Sequence, residues 1–314
     1  MTEIAVVIPT HNHADLVPEA VDSVLVQTEA VSEIIVVDDG STDDTRDRLR
    51  RYSSDIKYVY QPNRGLSAAR NRGIAECRAE WIAFLDADDL WLSHKLKEQL
   101  PLIEVAPDDV GCVHSRALIK GPGYQVPSPL PPGGGELLLH HLARQNHVAV
   151  LTAVVRREIL LKLGGFNETL TALEDWDFWL RLAAAGYGFR YSPKVLAIYR
   201  VSLGAMHMDA EKMERNARRV LGNFFSTPGL PPSVSGLSNI SYALFYLGLS
   251  RTFAFQHDRK MAIEYVRKAI RCRPGIGLSG SFLGSTLRIA LPRFMYDLFR
   301  TVNRRRLTKD ARGP

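Results

Sequence analysis

The sequence predicts an α/β protein with a mostly parallel central sheet flanked by helices and a helical C-terminal extension. Three observations carry this. Near-continuous apolar runs at Ile4–Ile8, Glu33–Val37 and Trp81–Leu85 have the length and β-branching of buried strands. Helical stretches separate them, which is the pattern of βαβ units around a parallel sheet. Beyond Gly204 the chain reads as helical and basic.

Taken in order, Ile4–Ile8 (IAVVI) stops at Pro9, and Asn12 to Gln27 sets Leu16, Ala20, Val24 and Leu25 at helical spacing. Glu33–Val37 (EIIVV) runs into Asp38-Asp39-Gly40-Ser41. A polar helical stretch follows from Thr42 to Tyr52, then a third strand near Ile56–Tyr60 and a helix from Gly65 to Glu80. Trp81–Leu85 is the fourth strand. Gly121 to Gly135 holds five Pro and five Gly in fifteen residues, which excludes a regular element. It reads as an exposed connector or as a mobile loop over the site. Regular structure resumes from His140 to Leu163. Leu173 to Gly186 is a strongly amphipathic helix stopped by its glycine, and Val195–Tyr199 is a last strand. These elements divide the chain into residues 1–205 and a basic helical region, 206–314.

The 314 residues allow one large domain or two, and 46% hydrophobic with 24% charged residues is ordinary for a soluble protein. Cys77, Cys112 and Cys272 are scattered and odd in number, which argues against a disulfide framework and for a reducing compartment. The first residues carry no basic segment followed by an apolar core, and no apolar run approaches the roughly 18 residues that span a bilayer. The expected location is cytoplasmic. The net charge of +6 hides an asymmetry: residues 1–210 carry 21 basic against 28 acidic residues, net −7, and residues 211–314 carry 19 against 6, net +13. A basic third on a mildly acidic body suggests an anionic partner surface.

In parallel sheets ligands bind beyond the carboxyl ends of the strands. Here those ends read PTHN, DDGS and DADD, all polar, which points to a nucleotide-type site. The last sits in WIAFLDADDLW, which is either a solvated turn or a seat for a cation. Asp86 and Asp88 are two apart, so while strand geometry persists both project to one face. Two such carboxylates are hard oxygen ligands suited to Mg²⁺ or Mn²⁺ holding a diphosphate.

The ordered blocks IAVVIPTHN, VDSVLVQT, EIIVVDDGSTDDT, QPNRGLSAARNRGI, WIAFLDADD and GGFNETLTALEDWDFWLRLAAAG resemble the family 2 glycosyltransferases of GT-A, Rossmann-like fold, over roughly residues 1–200. The resemblance implies a nucleotide-sugar donor (UDP, GDP or dTDP), a divalent metal (Mn²⁺ or Mg²⁺), and inversion at the anomeric carbon. It makes Asp88 the more direct metal ligand and Asp86 a metal and donor contact, with Asp89 either supporting them or serving the turn. It assigns Asp38 and Asp39 to nucleotide recognition, against the alternative of a helix cap. Pro9, Thr10 and Asn12 line the same edge. Arg70 in AARNRG resembles a basic contact to the nucleotide, against a solvated helical arginine. Asp175 in LEDWD is the implied catalytic base: an acceptor hydroxyl is a poor nucleophile, and displacement needs a group to take its proton. A helix N-terminus keeps that group ionised while slightly weakening its basicity. Asp177 faces elsewhere, and Trp176 and Trp179 read as core or as a sugar platform. After the last strand the chain reads YRVS, with Ser202 where the family pattern has histidine. His207, the next histidine, is a metal ligand or a loop residue. His11 and His13 lie beside the site without a sequence partner.

The expected activity is therefore an inverting, metal-dependent glycosyltransferase moving a sugar to a saccharide or lipid-linked acceptor, as in bacterial-type surface polysaccharide or glycolipid assembly. Two alternatives stand beside it. A nucleotidyltransferase would show a Gly-rich basic phosphate loop near the first strand, which PTHNHAD lacks. A non-catalytic nucleotide-sugar binder would need no base such as Asp175. Tyr246, Leu249, Ser250, Phe253, Ala262, Val266, Ala269 and Pro274 fall at the spacing of one tetratricopeptide-like hairpin, too little for a solenoid. Phe282 to Arg306 is basic and amphipathic, suiting either an anionic membrane surface, with the protein peripheral on the inner face, or a solvated helix. Nucleic acid is not expected as a partner, since no aromatic-plus-basic stacking motif appears.

Overall fold

A computed structural model describes residues 2–121, 123–131, 139–201, 209–256, 258–278 and 282. It divides into two compact units, Met1–Ser235 and Gly236–Pro314.

In the first unit β1 (Ile4–Thr10) leads through α1 (Val17–Leu25) to β2 (Glu33–Asp39), then α2 (Thr45–Leu49), β3 (Lys57–Gln61), α3 (Leu66–Glu76) and β4 (Trp81–Phe84). The strand order β3-β2-β1-β4 is parallel throughout, with Thr10 opposite Asp38 and Val7 opposite Phe84. Every residue of β1 and β4 is buried, as expected where helices cover both faces. The buried stripe of α1 is Val17, Ala20, Val21 and Val24, at spacings of three and four; Leu25 falls outside it and is exposed. Gly73 of α3 lets that helix settle on β1, because a Cβ there would lie 2.3 Å from Val7 Cγ1.

Beyond β4 the sheet turns mixed. β5 (Leu90–Trp91), α4 (Lys95–Glu104), β6 (Val110–Gly121), β7 (Tyr124–Pro127), α5 (Leu139–Arg144), β8 (Val154–Arg156), α6 (Arg157–Lys162), α7 (Glu174–Ala184) and β9 (Gly188–Arg200) extend it in the order β4-β8-β6-β9-β5. β8 runs antiparallel to both β4 and β6, and β6 pairs with β9 in parallel. The Pro/Gly-rich stretch does contain a regular element, contrary to expectation. Tyr124–Pro127 pairs with Leu118–Gly121 as a hairpin, reversed at Gly123 with φ of +72°. Pro127 closes a strand that, among the described residues, pairs only with β6, a position where a missing donor is tolerated. Residues 132–138 lie outside the described residues.

α8 (Ala210–Phe225) belongs to this first unit. Its buried Asn216 accepts the Thr171 N–H at 3.0 Å and donates to Thr171 Oγ1 at 3.0 Å, fixing the loop that precedes α7. α9 (Pro232–Ser235) closes the unit. The second unit is a hairpin of α10 (Ser238–Phe255) and α11 (Arg259–Cys272), matching the expected helical pair. Tyr265 of α11 stacks on Phe253 with ring centroids 5.4 Å apart. No helix among the described residues is long and apolar enough to cross a membrane.

Candidate active site

The carboxyl ends of β2, β1 and β4 are neighbours in the sheet, so their polar loops form one edge. The loop after β1 is tied to the loop after β2. The Asn12 N–H donates to Ser41 Oγ at 2.9 Å, and Asn12 Oδ1 accepts the Thr42 N–H at 2.8 Å. Asn12 holds φ at +54°, a left-handed conformation that asparagine tolerates. Thr10 is buried beside it, and its Oγ1 has no hydrogen-bond partner among the described residues. Pro9 lies within β1 opposite Val37.

Asp38 and Asp39 are both buried and both engaged. Asp38 accepts the Ser41 N–H at 2.8 Å and the Tyr58 hydroxyl at 2.6 Å. Asp39 accepts Gln61 Nε2 at 2.7 Å, the Arg64 N–H at 2.9 Å and the Gly65 N–H at 2.7 Å. Neither caps α2, whose flanking residue is Asp44. The pair instead shapes the edge by holding the 61–65 loop against β2. Gly40, at φ +77°, makes room for that loop, since a Cβ would lie 2.6 Å from the Asn63 backbone nitrogen.

β4 ends at Phe84, so strand geometry does not place Asp86 and Asp88. They sit in a turn closed by the Asp89 N–H donating to the Asp86 carbonyl at 3.0 Å. The two readings of WIAFLDADDLW are thus not exclusive: a turn gathers the acids. Asp89 is buried; one oxygen accepts the Arg200 N–H at 2.8 Å, and Oδ2 has no partner among the described residues. The Arg200 side chain returns to donate to the Asp88 carbonyl and to Glu19, so the end of β9 pins the turn. Burial, and then the charge of Asp86, raise the pKa of Asp88 and of Asp89.

Arg70 is 1% exposed, which excludes a solvated helical arginine. Its guanidinium donates to Asp86 at 2.6 Å and to Glu174 at 2.5 Å, and lies over the Phe166 ring at 5.3 Å. One cation therefore joins the acidic turn to the start of α7. Next to Glu174, Asp175 accepts its neighbour's Trp176 N–H at 2.7 Å and Asn146 Nδ2 at 3.1 Å. Its pKa is pushed up to about 7, first by lost hydration and then by the Glu174 charge, against the pull of Arg70 and both hydrogen bonds. Burial thus outweighs the helix terminus, and the carboxylate is more basic than its position alone suggests. Burial weakens the acidity of the Tyr199 hydroxyl, and the charges of Asp89, Asp86, Asp88 and Asp175 add to that effect.

The remaining predicted residues fall plainly. Trp176 and Trp179 are buried, donating to the Leu142 and Val148 carbonyls at 2.8 and 3.0 Å, and so are core rather than platform. Asp177 pairs with Arg181 at 2.8 Å. His11 Nδ1 lies 2.9 Å from the Asp39 carbonyl oxygen, and His13 stands near enough to Asp88 to favour its ionised form. His207 and Ser202 lie outside the described residues. Sequence reasoning missed Asn146 and Arg200 as partners of the site, and Asn71, which clasps Phe166 through both backbone groups at 2.8 Å. The last had a signal: Asn71 in ARNRG and Gly165 in GGFNE are in contact, a Cβ on Gly165 being 2.3 Å from Asn71 Oδ1.

Among the described residues no group of three or more His, Cys, Asp or Glu side chains is placed to hold a metal ion by itself. Asp86, already paired with Arg70, and Asp88 are hard oxygen donors, and Asp89 Oδ2 has no partner among the described residues; the set suits a cation that takes most of its ligands from a diphosphate and water.

Solved structures share this fold. The chain superposes on TarS of S. aureus with a TM-score of 0.60 at 20% identity, covering 87% of this chain and 81% of that one. With the mannosyltransferase PcManGT of Pyrobaculum calidifontis the TM-score is 0.64 at 21% identity, covering 95% and 83%. Fold and relatives together define a glycosyltransferase of GT-A fold. The chain belongs to glycosyl transferase family 2, whose model matches residues 5–164, and residues 144–232 match the family described as glycosyltransferase like family 2. An uncharacterized glycosyltransferase from Nostoc sp. is 42% identical over 123 residues, 38% of each chain. The Escherichia coli UDP-Glc:alpha-D-GlcNAc-diphosphoundecaprenol beta-1,3-glucosyltransferase WfgD is 26% identical over 82% of this chain and 98% of its own. The chain thus spans well under half the length of several curated relatives, including 17% of a Rickettsia conorii glycosyltransferase.

Proposed function

We propose that the chain is an inverting glycosyltransferase that uses a divalent cation and a nucleoside-diphosphate sugar, with a saccharide or lipid-linked hydroxyl as acceptor. The observation that carries this is the single buried guanidinium of Arg70 joining Asp86 to Glu174, beside a carboxyl of pKa about 7. A phosphate-holding edge and a base matched to neutral pH then share one framework. Asp175 takes the acceptor proton, the oxygen forms its bond to the anomeric carbon, and the sugar–diphosphate bond breaks with its electron pair on the leaving nucleoside diphosphate. A single displacement of this kind inverts the anomeric centre. Asp86 and Asp88 would hold Mn²⁺ or Mg²⁺, which when bound neutralises the diphosphate and steadies the departing charge. Asp38, Asp39, Pro9, Thr10 and Asn12 shape the nucleotide edge.

Relatives support the donor and acceptor classes. TarS has been solved with UDP, PcManGT with GDP-Man and Mn²⁺, and WfgD's name gives a diphosphoundecaprenol-linked acceptor. A lipid-linked acceptor would place the protein at the inner face of a membrane, with the basic C-terminal region as its contact. The deciding experiment is donor turnover with UDP-, GDP- and dTDP-sugars in Mn²⁺, for wild type and Asp175→Asn. Turnover of one donor class that the substitution abolishes supports the reading; equal rates for both proteins overturn the base.

A further inference from the structure

We infer that the outward face of α11 is a docking surface for an anionic membrane; this deepens the membrane part of the proposed function. Within its own unit α10 packs on one side of α11, where Ala262, Tyr265, Val266 and Ala269 are buried. At 100° per residue, Arg259, Lys260, Ile263, Arg267, Ile270 and Arg271 share an arc that starts at the edge of that stripe and runs outward from it, and all six are exposed. The two isoleucines, 41% and 37% exposed, are seven residues apart and so lie nearly in line along the helix. They border the buried stripe, and Lys260, Arg267 and Arg271 line their outer side. The only acid in α11, Glu264, stands at the far border of the arc, 3.7 Å from Lys268. Residues 259–273 hold six cations against this one acid.

That combination selects among anionic partners. Phosphate groups of any polyanion reward the cations, but only a bilayer rewards the aliphatic row as well. In a membrane interface the isoleucines enter the headgroup–acyl boundary while each Lys or Arg is drawn to acidic lipid. A single-stranded nucleic acid would need aromatic side chains for base stacking, and this arc has none. At 14 residues, roughly 21 Å long, α11 can lie on a membrane and cannot cross it.

The test uses the full chain and vesicles of phosphatidylcholine, with or without phosphatidylglycerol. Wild type is compared with Lys260→Gln/Arg267→Gln/Arg271→Gln, with Ile263→Ser/Ile270→Ser, and with a chain lacking residues 282–314. Binding to the acidic vesicles alone is expected, falling roughly tenfold or more in each α11 variant, with unchanged melting temperatures. Raising salt from about 0.1 to about 1 M, which shortens the screening length from about 10 to about 3 Å, should weaken wild type and leave the triple-Gln variant nearly unaffected. Absence of wild-type binding overturns the inference, as does wild-type affinity in either α11 variant. So does loss only on deletion of 282–314, or equal binding to RNA that ignores the isoleucines. Vesicle binding is read without donor or acceptor, so its failure leaves the sugar-transfer reading intact, and the reverse.

Discussion

Arg70 and Glu174 form an ion pair of 2.5 Å in which neither partner reaches bulk solvent, and the other arm of the same guanidinium holds Asp86 at 2.6 Å. Sequence separations of 104 and 16 residues are thereby closed by one side chain. Loss of the cation would leave two carboxylates close together in a poorly hydrated place. Arg70→Met should therefore cost about 3–5 kcal/mol of folding stability, the usual penalty for orphaning a buried charge. Arg70→Lys keeps the charge but cannot span both acids with a planar fork. It should fold better than the methionine variant and still lose most of its turnover. Denaturant midpoints beside kcat separate the two effects.

As the proposed base, Asp175 with its raised pKa would give the reaction a pH limb. Only its ionised form can take a proton, so kcat/KM should rise with pH through about 7 and then level. Asn146 donates to the ionised carboxylate and lowers its pKa, so Asn146→Ala should move that limb to higher pH. A merely structural loss would lower the plateau without moving the limb. The same shift has a stability sign. A carboxyl whose folded pKa lies above its unfolded one costs stability as pH rises from about 4 to about 7. Asp175→Asn should thus melt higher than wild type at pH 8 and differ little at pH 4.

How much of this was legible follows from which interactions are local. The strands Ile4–Thr10, Glu33–Asp39 and Trp81–Phe84 announce themselves because parallel, doubly covered strands must be apolar along their length. The acids at their ends stand out for the same reason. Residues 110–156 did not, because β6, β7 and β8 belong to a mixed sheet whose partners are distant in sequence, and β7 hides among prolines. Arg200, Asn146 and Asn216 reach the site across 29 to 112 residues, a relation no periodicity encodes. Asp86 and Asp88 lie together in a turn, because the strand geometry expected to pair them stops at Phe84.

Gly73 offers a test of the fold alone. Adding a methyl group there sets a Cβ 2.3 Å from Val7 Cγ1 and 2.9 Å from Cγ2, and both belong to a fully buried strand. A packed core cannot yield that distance without moving α3 off β1. Gly73→Ala should cost about 1–3 kcal/mol despite its better helix propensity. Because Arg70 and Asn71 ride on α3, the same substitution should also lower kcat. Paired measurement of the melting temperature and turnover checks both.

Lys95 is fully buried, with Nζ donating to Gln99 at 2.6 Å and standing 4.0 Å from the Trp91 ring centroid. No carboxylate pairs with it among the salt bridges of the described residues, and desolvation pulls its pKa down to about 7. The sign follows from comparing the two states. Below pH 7 the amine is charged whether folded or not, so folding bears the whole burial penalty. Between about 7 and about 10.4 the folded protein sheds the proton while the unfolded chain keeps it, and the penalty fades. This group alone therefore makes stability rise as pH goes from 7 toward 10. Lys95→Met, of similar length and without a charge, should raise the melting temperature at pH 7, with the gain shrinking by pH 10. Tyr and other lysines titrate near that upper end in both proteins, so the difference between the two melting curves is the quantity to read. A pH-independent difference would mean that Lys95 binds its proton equally in the folded and unfolded chain, so that packing, not charge, sets its cost.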